Sequence, residues 1–288
     1  MAAERPQPVM NFMLITADPE FAHYAEQSGV SRIFVDMEVL GKAERQGHLD
    51  THRASHTFSD VSKVRERLSQ AELMVRLNPL YSGTDDDVDR AIDSGAQRLM
   101  LPMFKTQREV AKFLNIVDER VPVTFLLETP EALVRLSRYI CELGAMDEIH
   151  IGLNDLSLGL GLDFLFEPVA GGLLDGAANL LNESGVRWGF GGVARLDSGI
   201  LPAYLILSEH VRLGSSWVIL SRAFHQCSAA HDPNMTRVDF ADEISKLNQA
   251  FKELSFHCHD VLIDNQRLFA AKAFEIGVAR AMSHISEV

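Results

Sequence analysis

The sequence predicts an α/β fold: a single (β/α)8 barrel, the TIM-barrel architecture, with a C-terminal helical extension. Three observations lead there. Eight short, almost continuously apolar runs recur along the chain, each followed by a polar turn and an amphipathic stretch. Strands of that kind are covered on both faces, as in a parallel sheet wrapped by helices. A glycine signature precedes several of them: SGV at 28–30, SGA at 94–96, LGA at 143–145 and SGV at 184–186. Glycine there suits the left-handed residue that closes a helix before the chain turns into a strand. The length of 288 residues lies near the ~250 typical of one such barrel and can bury a large core without disulfides. Alternating β and α units point to a parallel sheet, and eight of them favour closure over an open doubly wound sheet.

Taken in order, the runs are NFMLITAD (11–18), RIFVDME (32–38), ELMVRLNP (72–79), RLMLPMF (98–104), VTFLLETP (123–130), EIHIGLND (148–155), WGFGGVAR (188–195) and HVRLGSSWVIL (210–220). Between them, segments such as EVAKFLNIVDER and EALVRLSRYICELG repeat apolar residues with the helical period. Asp85, Asp86 and Asp87 suit the start of a solvated helix, where negative charge meets the positive end of the helix dipole. Past residue 224 the pattern changes. HDPNMTRVD reads as loop and the remainder as helix broken near 260, with Ile244, Leu247, Phe251 and Leu254 on one face. The barrel is assigned to 1–224 and the helical extension to 225–288, expected to pack on a neighbouring subunit in preference to its own barrel.

Composition narrows the function classes. With 40 acidic against 27 basic residues the net charge is −13, which repels nucleic acid and anionic lipid and removes both as expected partners. No run of ~18 apolar residues offers a membrane span, and the first residues lack a signal-peptide core. Cys141, Cys227 and Cys258 fall in no CxxC pair and suit reduced thiols. The expectation is a cytoplasmic protein acting on small molecules.

Barrel enzymes work at the C-terminal ends of their strands. The residues ending each run are Asp18; Asp36 and Glu38; Arg76 and Asn78; Met103 and Lys105; Glu128; Asn154 and Asp155; Arg195; and Ser215, Ser216 and Trp217. Charges at one end of otherwise apolar strands need a partner or a ligand. Glu128 and Asp155 end adjacent strands, and two such carboxylates repel unless a cation sits between them. An oxygen-only set suits Mg²⁺ or Mn²⁺; salt bridges to strand-end arginines are the other reading. Arg76 has the planar fork that suits a carboxylate or a developing oxyanion, or an ion pair with Asp36 or Glu38, and both can hold at once. In GLNDLSLGLG, backbone N–H groups around Gly152 and Asn154 are suited to a substrate carboxylate. His48, His52 and His56 share a four-residue spacing that either lines one helical face or belongs to a solvated loop. His225, His231, His257 and His259 fall outside the expected site.

Five blocks, FVDME, VRLNP, AIDSGAQRLMLPM, FLLETPEAL and IHIGLNDLSLGLG, in that order, resemble the HpcH/HpaI aldolase and citrate lyase β-subunit family over residues 11–224. The resemblance implies a (β/α)8 barrel that uses Mg²⁺ or Mn²⁺ and handles the enolate of a 2-oxo acid such as pyruvate or oxaloacetate, with an aldehyde as second partner. It implies Glu128 and Asp155 as metal ligands, Arg76 as the group on the keto oxygen, and Glu38 as an acid beside the metal waters. It implies that Asp93 reaches into a neighbouring subunit's site, and that the C-terminal helices are exchanged in a homo-oligomer, a trimer or hexamer. One position departs: the family run DxEH reads here Asp36-Met37-Glu38-Val39, and valine transfers no proton. The base is then a loop histidine (His48, His52 or His56), a metal-bound water, or the chemistry differs. A citrate-lyase-like acyl-CoA lyase and a non-catalytic metabolite-binding barrel are the alternatives.

Overall fold

The computed structural model describes residues 9–41, 56–196, 199–227 and 237–286. Eight strands form the expected barrel: β1 (Asn11–Ile15), β2 (Arg32–Asp36), β3 (Glu72–Arg76), β4 (Arg98–Leu101), β5 (Val123–Leu127), β6 (Glu148–Ile151), β7 (Arg187–Val193) and β8 (Trp217–Leu220). Each pairs in parallel with the next, and β8 closes on β1 through Asn11 opposite Trp217. The helices that return the chain are α1 (Pro19–Gln27), α2 (Phe58–Arg67), α3 (Thr84–Asp93), α4 (Gln107–Val117), α5 (Pro130–Val134), α6 (Leu136–Tyr139), α7 (Leu153–Gly159), α8 (Glu167–Ala170), α9 (Asp175–Glu183) and α10 (Ala203–Leu213). Two more follow β8, α11 (Arg237–Leu254) and α12 (His259–Ser286).

Local chemistry explains these boundaries. The Asp18 carboxylate accepts from the N–H groups of Glu20 and Phe21 and so starts α1. Thr106 and Glu109 cap each other reciprocally at the start of α4. Gly29 and Gly95, in two of the four signatures, take φ of +99° and +97° as helix ends, a region that side chains disfavour. Gly144 behaves differently: it lies beyond a short 3₁₀ turn, and its N–H is held by Asp147 at 2.8 Å.

Because side chains alternate along a strand, each strand contributes to two layers. Outward residues such as Phe12, Leu14, Ile33, Val35, Leu73 and Val75 join the large core between sheet and helices. Inward residues fill the barrel in three tiers. The lowest, at the start of the strands, is ionic: Arg32 bonds Glu72 at 2.6 Å and Glu148 at 2.7 Å, Arg98 bonds Glu72 at 3.0 Å, and the Arg32 guanidinium lies 3.8 Å from the centre of the Trp217 ring. The middle tier is apolar, made of Met13, Phe34, Met74, Met100, Leu126 and Trp217. The upper tier holds the candidate site described below.

Two expected strand ends move. The eighth run begins too early in the sequence reading: His210 belongs to α10, and β8 starts only at Trp217. Ser215, Ser216 and Trp217 therefore sit at the lower rim, and Trp217 forms part of the barrel filling. Gly214, left-handed at φ +78°, ends α10 where the apolar pattern alone gave no break. Likewise β6 stops at Ile151, so Asn154 and Asp155 lie in the first turn of α7.

After β8, α11 occupies the eighth helical position, between α10 and α1. Phe240 meets Phe21 edge-on at 5.5 Å, and Ile244, Leu247 and Leu254 are buried. α12 runs along α8 and α10 of the same chain, with Phe269 edge-on to Phe166 at 5.8 Å and Asn265 bonded to Ser208 at 3.0 Å. Among the described residues no helix is long and apolar enough to cross a membrane.

Candidate active site

Parallel strands put Asp36, Arg76 and Glu128 at one rim, the upper end of β2, β3 and β5. The Arg76 guanidinium grips Asp36 with two bonds, Nε to Oδ1 at 2.8 Å and Nη2 to Oδ2 at 2.7 Å, and lies 3.5 Å from Glu38. The ion pair foreseen for Arg76 exists. It consumes Nε and Nη2 and leaves Nη1 as the edge that Asp36 does not take. Burial opposes the charge on Arg76, but Asp36, Glu38 and Glu128 outweigh it and raise its pKa, so the residue is a fixed cation.

Glu128 is 3% exposed. Burial pushes its carboxyl up to about 8; Arg76 opposes the shift, while Asp155 and Glu38 add to it. The Met103 N–H donates to Oε1 at 3.1 Å. Met103 itself has φ +57°, a left-handed backbone that a side-chain-bearing residue adopts at a cost of roughly 1 kcal/mol. Around it the β4–α4 loop is tied down: the Thr129 hydroxyl donates to the Phe104 carbonyl at 2.8 Å, and Arg135 donates to the Lys105 carbonyl at 3.0 Å. The strained residue is therefore held where its N–H meets Glu128.

Gly152 has a different task from the one its sequence suggests. Its N–H bonds the Leu127 carbonyl at 2.9 Å as part of the sheet, so it is engaged within the fold. What the glycine contributes is space: a Cβ there would stand 2.9 Å from both the Cβ and Oε2 of Glu128. Asn154 is exposed and Asp155 half-buried in the turn that follows.

Glu128 and Asp155 open onto a cavity of about 470 Å³ whose wall also includes Met103, Lys105, Glu131 and Leu158. A wider, open groove of about 740 Å³ on the barrel flank is lined by Asp85, Arg108, Lys112 and Arg120. It contains none of the strand-end groups, so the first is the candidate site.

The donor set fits a hard divalent cation. The Glu128 carboxylate is buried beside Asp155 and Glu38, more negative charge than Arg76 alone offsets, and the missing Cβ at Gly152 leaves that carboxylate room. No cluster of three or more Asp, Glu, His or Cys suited to a metal occurs among the described residues. Protein ligands beyond Glu128 and Asp155 are thus not on hand, and water and substrate oxygens would complete the shell, as is common for Mg²⁺.

Other expected residues lie elsewhere. Asp93 is exposed at the end of α3, just ahead of β4, on the lower side of its own barrel. Val39 is 64% exposed at the upper rim, with its N–H bonded to Asn78 at 2.9 Å. His48 and His52 lie outside the described residues. His56 is half-buried just ahead of α2, and His257 and His259 are exposed.

Sequence reading missed two groups inside the barrel. The ionic floor was signalled by charges opening four runs, Arg32, Glu72, Arg98 and Glu148, in inward register with the upper residues. His150, on β6, is fully enclosed. Its Nε2 lies 3.2 Å from the Gly191 carbonyl, its Nδ1 has no partner, and burial lowers its pKa to about 4. The alternation that turns Glu148 inward turns His150 inward as well, but nothing in EIHIGLND marks it as neutral.

Comparison with known proteins agrees with this fold. The family model of HpcH/HpaI aldolase/citrate lyase matches residues 12–164, the span from β1 to just past α7. Among solved structures, an HpcH/HpaI aldolase from Desulfitobacterium hafniense DCB-2 is similar at 16% identity with a TM-score of 0.59, over 80% of this chain and 96% of that one. An HpcH/HpaI aldolase/citrate lyase family protein from Burkholderia cenocepacia J2315 is similar at 16% identity and TM-score 0.58, over 86% of this chain and 95% of that one. A comparison with curated protein sequences finds no match. At such identities the structures speak for the fold alone, whereas the sequence match, covering more than half the chain, places this protein in the HpcH/HpaI aldolase/citrate lyase family.

Proposed function

We propose that the protein is a metal-dependent carbon–carbon lyase that forms or cleaves a 2-oxo acid through a pyruvate-like enolate, with Glu128 and Asp155 holding Mg²⁺ or Mn²⁺. The observation that carries this reading is Glu128: a carboxyl only 3% exposed at the barrel mouth, lining the same cavity as Asp155, where burial, Asp155 and Glu38 all push its pKa up. Arg76 offsets only part of that negative charge, since Asp36 already takes two of its bonds. A bound divalent cation supplies Lewis acidity toward the carboxylate and keto oxygens of a 2-oxo acid.

The remaining tasks fall to the chain itself. Asp36 holds Arg76 in one orientation, and the Phe34 ring supports its guanidinium from 5.3 Å. Arg76 then faces the oxygen on which charge develops as the bond breaks, a preorganised donor that needs no rearrangement. Glu38, 5% exposed and 3.5 Å from Arg76, is the carboxylate we assign to proton handling where Val39 replaces a histidine. To Asp93, exposed on the lower side of its own barrel, we assign a role in the site of a second copy of the chain in a homo-oligomer.

Exchange of pyruvate methyl protons with D₂O, followed by NMR with Mg²⁺, tests the reading. Exchange should fall on the order of 100-fold or more with EDTA or in Glu128→Gln. Exchange that survives both treatments, or none in protein shown by titration to bind Mg²⁺, overturns it.

A further inference from the structure

The outer wall of the cavity holds a pair of opposite charges that the cleavage step does not use. Lys105 Nζ lies 3.0 Å from Glu131 Oε1. Both line the same cavity as Glu128 and Asp155, but their side chains are 50% and 42% exposed, whereas Glu128 is buried. The cavity thus runs from a carboxylate-lined floor to a zwitterionic rim.

Two features suit this rim to ligand recognition. The Lys105 backbone is pinned on both sides, its N–H to Glu109 at 2.9 Å and its carbonyl by Arg135 at 3.0 Å, so the side chain projects from a fixed point. The ion pair itself is exposed, and such pairs are worth roughly 0–1 kcal/mol. A ligand that replaces the contact with two better ones meets little resistance.

We infer that Lys105 and Glu131 bind the second substrate of the reaction and select a small, uncharged, hydroxylated aldehyde. This deepens the lyase reading and rests on it. An alcohol hydroxyl accepts from the Lys105 ammonium and donates to the Glu131 carboxylate, matching both members of the pair. An aldehyde carrying a carboxylate gains Lys105 but meets Glu131 within ion-pair distance of it, a like charge that opposes binding. A purely alkyl aldehyde finds Leu158 and Pro130 in the wall but leaves both charges without a new partner as it excludes water from them.

Condensation of pyruvate with three aldehydes of similar length tests this, using glyceraldehyde, propionaldehyde and succinic semialdehyde with the Mg²⁺-loaded protein. In the wild type, kcat/KM for glyceraldehyde should exceed that for propionaldehyde about tenfold, and Lys105→Met should bring the ratio near one, through KM. Glu131→Gln should raise succinic semialdehyde relative to glyceraldehyde. Saturation-transfer NMR of glyceraldehyde on the wild type and Lys105→Met reports binding without turnover. If pyruvate exchange is absent yet the glyceraldehyde signal is present and lost in Lys105→Met, the lyase reading falls and the subsite stands. Exchange accompanied by ratios that ignore both substitutions overturns the subsite, and a protein showing neither exchange nor a Lys105-dependent signal overturns both.

Discussion

Replacing Gly152 by alanine adds one carbon beside the buried Glu128. The backbone tolerates it, since Gly152 has φ −80° and ψ 97°, an ordinary conformation for any residue. The side chain does not. The new Cβ would lie 2.9 Å from Glu128 Cβ, 2.9 Å from Oε2 and 3.2 Å from Leu126 Cδ1, whereas carbon atoms rest at about 3.5–4.0 Å. Glu128 must give way by roughly 0.6–1 Å at its Cβ, and overpacking of this kind costs about 1–3 kcal/mol. Loss of glycine flexibility in the unfolded chain returns about 0.4–1 kcal/mol, so Tm falls by only a few degrees. Metal affinity is the sharper readout, because ligand positions tolerate only about 0.2 Å. Mn²⁺ binding by isothermal titration should weaken by about 10–100-fold, with Tm measured alongside. A variant that binds Mn²⁺ within twofold of wild type would refute the argument that this glycine makes room for a metal-binding carboxylate.

Acid stability should depend on the buried histidines. His150 titrates near 4 and His210 near 3, both lowered by burial from 6.5. Above about pH 6.5 both are neutral folded or unfolded, and stability is full. As pH falls toward 4, the unfolded chain takes up protons that the fold excludes, and each histidine removes about 1.4 kcal/mol per pH unit. Urea unfolding of wild type and His150→Leu at pH 7, 6 and 5 isolates one histidine; subtracting the two cancels Glu128, whose raised pKa acts in the opposite sense over this range. Equal slopes would contradict an enclosed neutral imidazole. At the barrel floor, Glu148 is 2% exposed and lies 2.7 Å from Arg32 and 3.3 Å from Arg187. Glu148→Gln strands buried arginine charge and should cost about 3–5 kcal/mol in urea unfolding; a loss below about 1 kcal/mol would mean that Glu72 alone neutralises the floor.

Much of the upper site was legible because it follows from a periodic rule. Once the runs are parallel strands, the polar residue closing each one must lie at the same rim. Asp36, Arg76 and Glu128 could be placed that way without coordinates, and Asp155 missed only by lying one turn into α7. The rule failed at β8, where HVRLGSSWVIL holds both a helix end and a strand, separated only by Gly214, Ser215 and Ser216. It was silent on the proton acceptor, since the four-residue spacing of His48, His52 and His56 suits a helical face and a solvated loop alike.

What the sequence by itself determined is the barrel, its order of units and the rim on which the strand-end polar residues gather, because hydrophobic period and strand polarity are local properties of the chain. Only the tertiary structure decided what each rim residue does there. Gly152 is a spacer for Glu128, Met103 is strained to donate an N–H, Arg76 is locked by Asp36, and Lys105 meets Glu131. Those roles depend on distances between residues many positions apart, which closure of the sheet sets and no local pattern encodes.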